Sequence, residues 1–238
     1  METLKGKNVL IVGATGGIGE KVAKLISGSG GIAYLTGRNV TKLAAVAQEC
    51  GIGYDRCFEM NIADETSVQN CVQQVIDTAG NIDIVVNAAG IGIIKPMDTL
   101  SSEEFMRTLQ TNLIGTFYLV KAVLPKMKEL KKGLIINIPG VLGKVPMAGA
   151  AAYSASKYGI VGMMQSIREE VKRTDIRITN LFLGGVDSPF WDTIDLRVQR
   201  DKMVVSEEAA KAIWFLCQQP TSGVVSEMVL QPFNHQAI

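Results

Sequence analysis

The chain has 238 residues, of which 47% are hydrophobic, so it is long enough for one well-buried α/β core. Its 24 Lys and Arg residues nearly balance its 23 Asp and Glu residues, which argues against a nucleic-acid surface. The four cysteines form no CxxC pair and the one histidine, His235, stands near the end of the chain, so we expect no metal site. The sequence has no signal-peptide pattern and no apolar run of about 18 residues, so we expect a cytoplasmic protein without membrane contacts.

Short apolar runs that are rich in β-branched residues alternate with longer helical patterns along the whole chain. The runs predict buried parallel strands at 8–13, 31–37, 82–90, 133–140 and 176–185, with weaker candidates at 54–60 and 224–230. Helices are predicted near 17–28, 40–49, 64–79, 101–131, 152–173 and 206–218, and Ser101 with Glu104 forms a plausible capping box for the longest. This alternation predicts a doubly wound α/β fold in one domain over residues 1–238, with about seven parallel strands flanked by helices.

A glycine-rich turn separates the first strand from the first helix. The stretch VGATGGIGE places Gly13, Gly17 and Gly19 in a G-x-x-x-G-x-G pattern. Glycines permit a tight turn and close approach of a phosphate, and a helix N-terminus attracts anions. The position of the pattern, directly after a buried strand, predicts a dinucleotide site.

The end of the second strand favours one form of the dinucleotide. Dinucleotide folds commonly have an acidic residue here for the adenosine ribose, but this chain has Arg38 in the stretch LTGRN. A guanidinium can bind a 2′-phosphate through two hydrogen bonds. Arg38 therefore favours NADP(H), although NAD(H) stays possible. The alternative interpretation is that Arg38 is a surface arginine without a role in binding.

The glycine turn, NAAG at 87–90, TN at 111–112 and YSASK at 153–157 occur in an order that resembles the classical short-chain dehydrogenase/reductase family. The resemblance covers essentially the whole chain. It implies a Rossmann-like fold, NAD(P)(H) chemistry on a small-molecule carbonyl or alcohol, and a homodimer or homotetramer. It also implies a set of cofactor-binding residues: Gly13, Thr15, Gly17, Ile18, Gly19, Arg38, Asn61, Ile62, Asn87, Ala88, Gly90, Tyr153, Lys157, Val186 and Ser188.

The same resemblance implies three catalytic residues, Tyr153, Lys157 and Asn112. Tyr153 and Lys157 are four positions apart and therefore share one helical face. We expect the lysine ammonium to lower the pKa of the Tyr153 phenol, so that the phenol can give a proton to a nascent alkoxide or take one from an alcohol. Asn112 matches the family asparagine that helps to hold a water relay.

One expected catalytic group is missing. The family has a serine thirteen residues before the tyrosine, and this chain has Gly140 there, with no Ser, Thr or Tyr from Pro139 through Ala152. Loss of one oxyanion donor lowers kcat by roughly 10²–10³ in the protease case that has been measured. Rearranged backbone amides, a water or a substrate hydroxyl could replace it.

The segment near 186–205 corresponds to the family's substrate lid. Phe190 and Trp191 are expected to bind substrate together with Gly140, and other apolar residues of the segment extend the wall: Ile194, Leu196 and Met203. The cations of the segment fit either an anionic substrate group or a solvated helix face: Arg197, Arg200 and Lys202.

Three functions remain open on this reading. The first is an NADP(H)-dependent oxidoreductase that interconverts a carbonyl and a secondary alcohol with Tyr153 as acid and base. The second is a dinucleotide-binding protein with little or no catalysis, because Gly140 replaces the serine. The third is an assembly role carried by the long helices near 101–131 and 152–173, which would need no cofactor affinity.

Overall fold

The computed structural model describes residues 2–233, and His235 lies outside them. Seven strands form one parallel sheet in the order β3-β2-β1-β4-β5-β6-β9, which confirms the predicted fold class. Their bounds are β1 Asn8–Val12, β2 Ile32–Gly37, β3 Cys57–Glu59, β4 Ile84–Asn87, β5 Lys132–Asn137, β6 Asp175–Leu183 and β9 Glu227–Leu230. A separate parallel pair joins β7 Val186–Asp187 to β8 Val204–Val205.

Helices cover both faces of the sheet. They are α1 Gly17–Gly28, α2 Val40–Cys50, α3 Glu65–Ala79, α4 Ser102–Leu109, α5 Gly115–Leu130, α6 Ala151–Val171 and α7 Ser206–Leu216. Alternate residues of the buried strand β1 point to opposite faces: Val9 and Ile11 pack with α1, α2 and α7, while Leu10 and Val12 pack with α3, α5 and α6. Two apolar cores on either side of one sheet are what continuous β-branched strands require. No helix within residues 2–233 has the length and apolar character needed to cross a bilayer.

The long helix predicted at 101–131 is interrupted. It begins as expected with the Ser101–Glu104 capping box, but Gln110–Ile114 forms a π-helical turn between α4 and α5. Such turns are rare, and they occur frequently at functional sites. Here the π turn contains Asn112, which the sequence singled out as catalytic.

Most strands end earlier than predicted. The run at 82–90 forms a strand only over Ile84–Asn87, because residues 88–90 leave the sheet and lie against the glycine turn. The weak candidate at 54–60 splits into a 3₁₀ turn, Tyr54–Arg56, and the three-residue strand β3. These shortened strands leave their following residues free to line a site at the carboxyl edge of the sheet.

Candidate active site

The glycine turn and the end of β4 meet where the strand order reverses. Parallel α/β sheets bind ligands at this edge, outside the carboxyl ends of the strands. Gly13 has φ +82°, and a side chain there would lie 2.9 Å from the Ala89 nitrogen. A Cβ atom at Gly19 would lie 2.3 Å from the Gly13 carbonyl oxygen. The turn therefore needs glycine both for its conformation and for its close packing.

The residues at this edge fit a dinucleotide. The N-cap of α1, Gly16, offers no side chain to the first-turn amides, which leaves those amides for an anion. Gly17 adds no side-chain bulk to this turn, so a pyrophosphate can approach the backbone closely, whereas Gly19 lets the start of α1 pack on Gly13. Ser188 and Pro189 of the lid lie over Gly17, at 3.2 and 3.0 Å from where its Cβ would be.

A cavity of about 730 Å³ runs from the glycine turn to the proposed catalytic helix and the lid. It brings together many of the residues that the sequence singled out, including the first helical turn and the tyrosine–lysine pair. The predicted residues that line it are Gly17, Ile18, Gly19, Ala88, Gly90, Gly140, Tyr153, Lys157, Val186, Ser188, Phe190 and Trp191.

The other predicted site residues lie around this cavity without lining it: Gly13, Thr15, Arg38, Asn61, Ile62, Asn87 and Asn112. Arg38 follows β2, is exposed, and forms no ion pair within the described part of the chain. Thr15 packs beside Gly37, one residue before that arginine. The Asn61 side-chain oxygen accepts the Ala63 N–H at 3.2 Å. Ile62 is buried against Gly115.

Tyr153 and Lys157 lie in the first two turns of α6, where the chain enters the cavity wall. Lys157 is only 4% exposed, and its Nζ donates to the Ile138 carbonyl oxygen at 3.1 Å. The same Nζ lies 5.2 Å from the centre of the Tyr153 ring. The Tyr153 hydroxyl forms no hydrogen bond with any residue from 2 to 233, so it is free to contact a ligand in the cavity.

Burial decides the ionisation of this pair. It lowers the pKa of Lys157 from 10.5 to about 8, because the ammonium has lost most of its water. It raises the pKa of Tyr153 above the usual value of a phenol for the same reason. The predicted lowering of the Tyr153 pKa by Lys157 is therefore wrong for this structure, in which desolvation raises that pKa. Tyr153 is a protonated phenol at neutral pH.

Asn112 is held in a fully committed hydrogen-bond network. Its Oδ1 accepts the Ile91 N–H at 2.8 Å, and its Nδ2 donates to the Ile91 carbonyl at 2.9 Å and to Ser156 Oγ at 3.1 Å. The Ser156 hydroxyl in turn donates to the Tyr153 carbonyl oxygen at 2.6 Å. Sequence reasoning missed Ser156, although its place in YSASK, three residues after the tyrosine, was a usable signal.

A second buried network fixes the strand ends below the cavity. Asn87 Nδ2 donates to Thr116 Oγ1 at 3.0 Å and to Asn137 Oδ1 at 3.3 Å, and the Thr116 hydroxyl donates to the Asn112 carbonyl. Asn87 and Asn137 are partners in the parallel register of β4 and β5. Asn87 therefore joins the strand ends to the π turn rather than lining the cavity itself.

Gly140 lines the cavity in a conformation that other residues rarely adopt. Its φ is 70° and its ψ is 169°, a region that belongs almost only to glycine. A Cβ atom there would have room, since its nearest neighbour would be the Leu183 carbonyl oxygen at 3.4 Å. The obstacle to a serine at this position is thus the backbone and not the space.

The lid presents an aromatic ring to Tyr153. The Phe190 ring lies 5.9 Å from the Tyr153 ring and 5.3 Å from the Trp191 ring, centre to centre. Gly92 makes this possible, because a Cβ there would lie 2.3 Å from Phe190 Cζ. Trp191 is anchored by its Nε1, which donates to the Val186 carbonyl at 2.9 Å.

Two of the three lid cations, and Ile194, do not line the cavity. Arg200 pairs with Asp192 and lies 3.7 Å from Asp187, so its charge is already matched. Lys202 lines the mouth of the cavity, whereas Arg197 does not line it. Ile194 is buried behind Phe190 instead of facing the cavity.

Comparison with known proteins shows the family to which the chain belongs. The family model described as short chain dehydrogenase matches residues 7–198. Over 232 residues the chain is 30% identical to an uncharacterised oxidoreductase of Staphylococcus epidermidis, a match that covers 98% of this chain and 100% of that protein. The fold is similar to an alcohol dehydrogenase of the archaeon Thermococcus sibiricus complexed with 5-hydroxy-NADP, with TM-score 0.86 and 26% identity over 97% of this chain and 98% of that one. It is also similar to a metagenomic short-chain oxidoreductase in complex with NADP, with TM-score 0.84 and 28% identity over 97% and 99%. The chain belongs to the short-chain dehydrogenase family.

Proposed function

We propose that the chain is an NADP(H)-dependent oxidoreductase that interconverts a carbonyl and a secondary alcohol. The main support is the continuous cavity that joins the first turn of α1, which has no side-chain cap, to the Tyr153 hydroxyl, which has no hydrogen-bond partner among residues 2–233. One end suits the phosphates of a dinucleotide, and the other end suits proton transfer to a substrate oxygen. The nicotinamide, when bound, supplies or accepts the hydride.

Tyr153 acts as the acid in carbonyl reduction. Its raised pKa keeps the phenol protonated at neutral pH, which is the form that can donate to a developing alkoxide. Lys157, held by the Ile138 carbonyl, keeps a positive charge beside the ring below pH of about 8 and stabilises the tyrosinate that forms. Asn112 and Ser156 orient the start of α6 through their hydrogen bonds.

The preference for NADP(H) rests on Arg38. Its guanidinium is exposed at the end of β2, without an acidic partner among residues 2–233, where a 2′-phosphate would offer one. The two structural relatives solved with NADP or a derivative of it support the same choice. An Arg38→Ala variant should lose affinity for NADPH and keep its affinity for NADH.

The test is a titration of NADPH and NADH followed by fluorescence, and then a panel of carbonyl compounds in the presence of the tighter cofactor. We expect binding with oxidation of NADPH, and we expect Tyr153→Phe to bind the cofactor normally while turnover is abolished. Turnover that survives in Tyr153→Phe would contradict the proposed acid.

A second function is favoured by one observation, the glycine at position 140. A dinucleotide-binding protein with little or no catalysis would bind NADPH tightly and oxidise it with no member of the panel. The proposal of an enzyme would then be replaced by that of a binding protein. A cytoplasmic homodimer or homotetramer remains our expectation for either function.

A further inference from the structure

The part of the cavity beyond the dinucleotide end is almost entirely apolar. One wall comes from the loop after β5 and the other from the lid, with such residues as Leu142, Val145, Met147, Trp191, Leu196 and Met203. The polar lid side chains on this side, Gln199 and Lys202, are exposed at the mouth. Ser188 lies over Gly17 and so belongs to the dinucleotide end. A neutral, apolar molecule fits such walls, because it loses no hydration of charged groups on entry.

Among residues 2–233, the Tyr153 hydroxyl is the side-chain hydroxyl that lies at the substrate end of the cavity. Two other donors nearby are committed, Trp191 to the Val186 carbonyl and the Asn112 amide to Ile91 and Ser156, while Lys157 gives one N–H to the Ile138 carbonyl and holds its charge beside the Tyr153 ring. The loop from residue 139 to residue 152 contains no hydroxyl, and the conformation of Gly140 disfavours the return of one. A transition state with charge on oxygen therefore receives less stabilisation than two donors would give, by roughly 10²–10³ in rate.

A substrate can make up for this loss when its own structure withdraws electrons from the reacting carbonyl. We propose that the substrates of this site are neutral, apolar vicinal diketones, an inference that rests on the proposed oxidoreductase function. In a diketone the neighbouring carbonyl makes the reacting carbon more electrophilic and the resulting alkoxide less basic. Such an alkoxide needs less help from the protein than that of an isolated ketone, so one donor suffices.

The reaction is balanced with the reduced dinucleotide as reductant. One carbonyl carbon of the diketone accepts a hydride from the reduced nicotinamide, and the C=O π electrons move to its oxygen. The Tyr153 hydroxyl donates its proton to that oxygen, and the tyrosinate then takes a proton from solvent. The products are a hydroxyketone and the oxidised dinucleotide, with one proton consumed overall.

The experiment compares three probes of similar size with the purified protein and NADPH. They are 1-phenylpropane-1,2-dione, 1-phenylpropan-1-one, which lacks one carbonyl, and phenylglyoxylate, in which a charged carboxylate replaces the second ketone. We expect kcat/KM for the dione to exceed that for the simple ketone by at least 100-fold. We expect phenylglyoxylate to be reduced at least tenfold less efficiently than the dione.

A binding measurement without cofactor shows whether the preference for the dione arises in substrate binding or in the chemical step. Trp191 lines the cavity, whereas the indole of Trp214 bonds to Ser29 away from it, so fluorescence that is lost in Trp191→Phe reports occupancy. The dione and the ketone should bind within about threefold of each other, which places the preference in kcat. Reduction of the ketone within tenfold of the dione, or better use of phenylglyoxylate, would overturn the inference while leaving the oxidoreductase function intact. No reduction of any probe with NADPH bound would overturn both.

Discussion

Replacement of Lys157 by methionine should abolish activity and yet make the protein more stable at neutral pH. The lysine is 4% exposed and its pKa falls from 10.5 to about 8, so burial of its charge costs about 3 kcal/mol at pH 7. Methionine removes that cost but leaves the Ile138 carbonyl without its donor, at a cost of about 1–2 kcal/mol. The expected net gain in the free energy of unfolding is about 1–2 kcal/mol.

The pH dependence of this gain provides the sharper test. The unfolded chain holds the lysine proton up to a pKa of 10.5 and the folded chain releases it near 8, so the stability of the unmodified protein rises between these values. The advantage of Lys157→Met should therefore shrink by about 2 kcal/mol between pH 7 and pH 9.5. Urea unfolding at the two pH values and one protein concentration measures it, with exposed Lys24→Met on α1 as the control that should change little at either pH. A variant less stable at pH 7, or a difference that is independent of pH, would refute the idea of a costly buried ammonium.

Three other predictions concern the same cavity. Gly140→Ser should lower the free energy of unfolding by about 1–3 kcal/mol without raising kcat, because the backbone at residue 140, with φ 70° and ψ 169°, is strained for any residue with a side chain. Gly162→Ser is the matched control in urea unfolding, since a Cβ there meets nothing within 4 Å. Gly92→Ala should displace Phe190 from the Tyr153 ring and raise KM for apolar carbonyls, whereas Gly28→Ala, with open space around its Cβ, should not. The rate of carbonyl reduction should be level near neutral pH and fall above a pH of about 8, as Lys157 loses its proton; a rate that is constant to pH 9.5 would contradict this.

The sequence was sufficient for the sheet, because its signals are local and strong. Continuous β-branched runs and the glycine turn predicted seven parallel strands, all of which are present in one sheet. It did not predict the π turn at Gln110–Ile114. One extra residue in a single turn leaves the helical periodicity of a stretch of about 30 residues almost unchanged. It also misjudged the strand ends, where residues 88–90 leave the sheet to pack on Gly13 through contacts that are distant in the chain.

The candidate site, like the sheet, was predicted where the signal is local in the sequence and missed where it depends on distant residues. The spacing of Tyr153 and Lys157 predicted a shared helical face, and both residues line one cavity. The direction of the Tyr153 pKa was wrong because it depends on burial by the lid and by the loop after β5, which sequence spacing does not report. Likewise, the committed bonds of Asn112 depend on Ile91 and Ser156, residues 21 and 44 positions away.

We interpret Gly140 as a fit to the proposed substrate chemistry. The segment that lacks the serine also supplies Val141, Leu142 and Met147 to the cavity wall, so one stretch of chain is both poor in side-chain donors and apolar. A protein without catalysis gains nothing from a buried ammonium that costs about 3 kcal/mol, yet Lys157 remains buried beside the Tyr153 ring. Strain and buried charge persist where function requires them. Under the proposed function, a buried charge beside the Tyr153 ring and a neighbouring loop without hydroxyls both suit a reductase of electron-poor, apolar carbonyls.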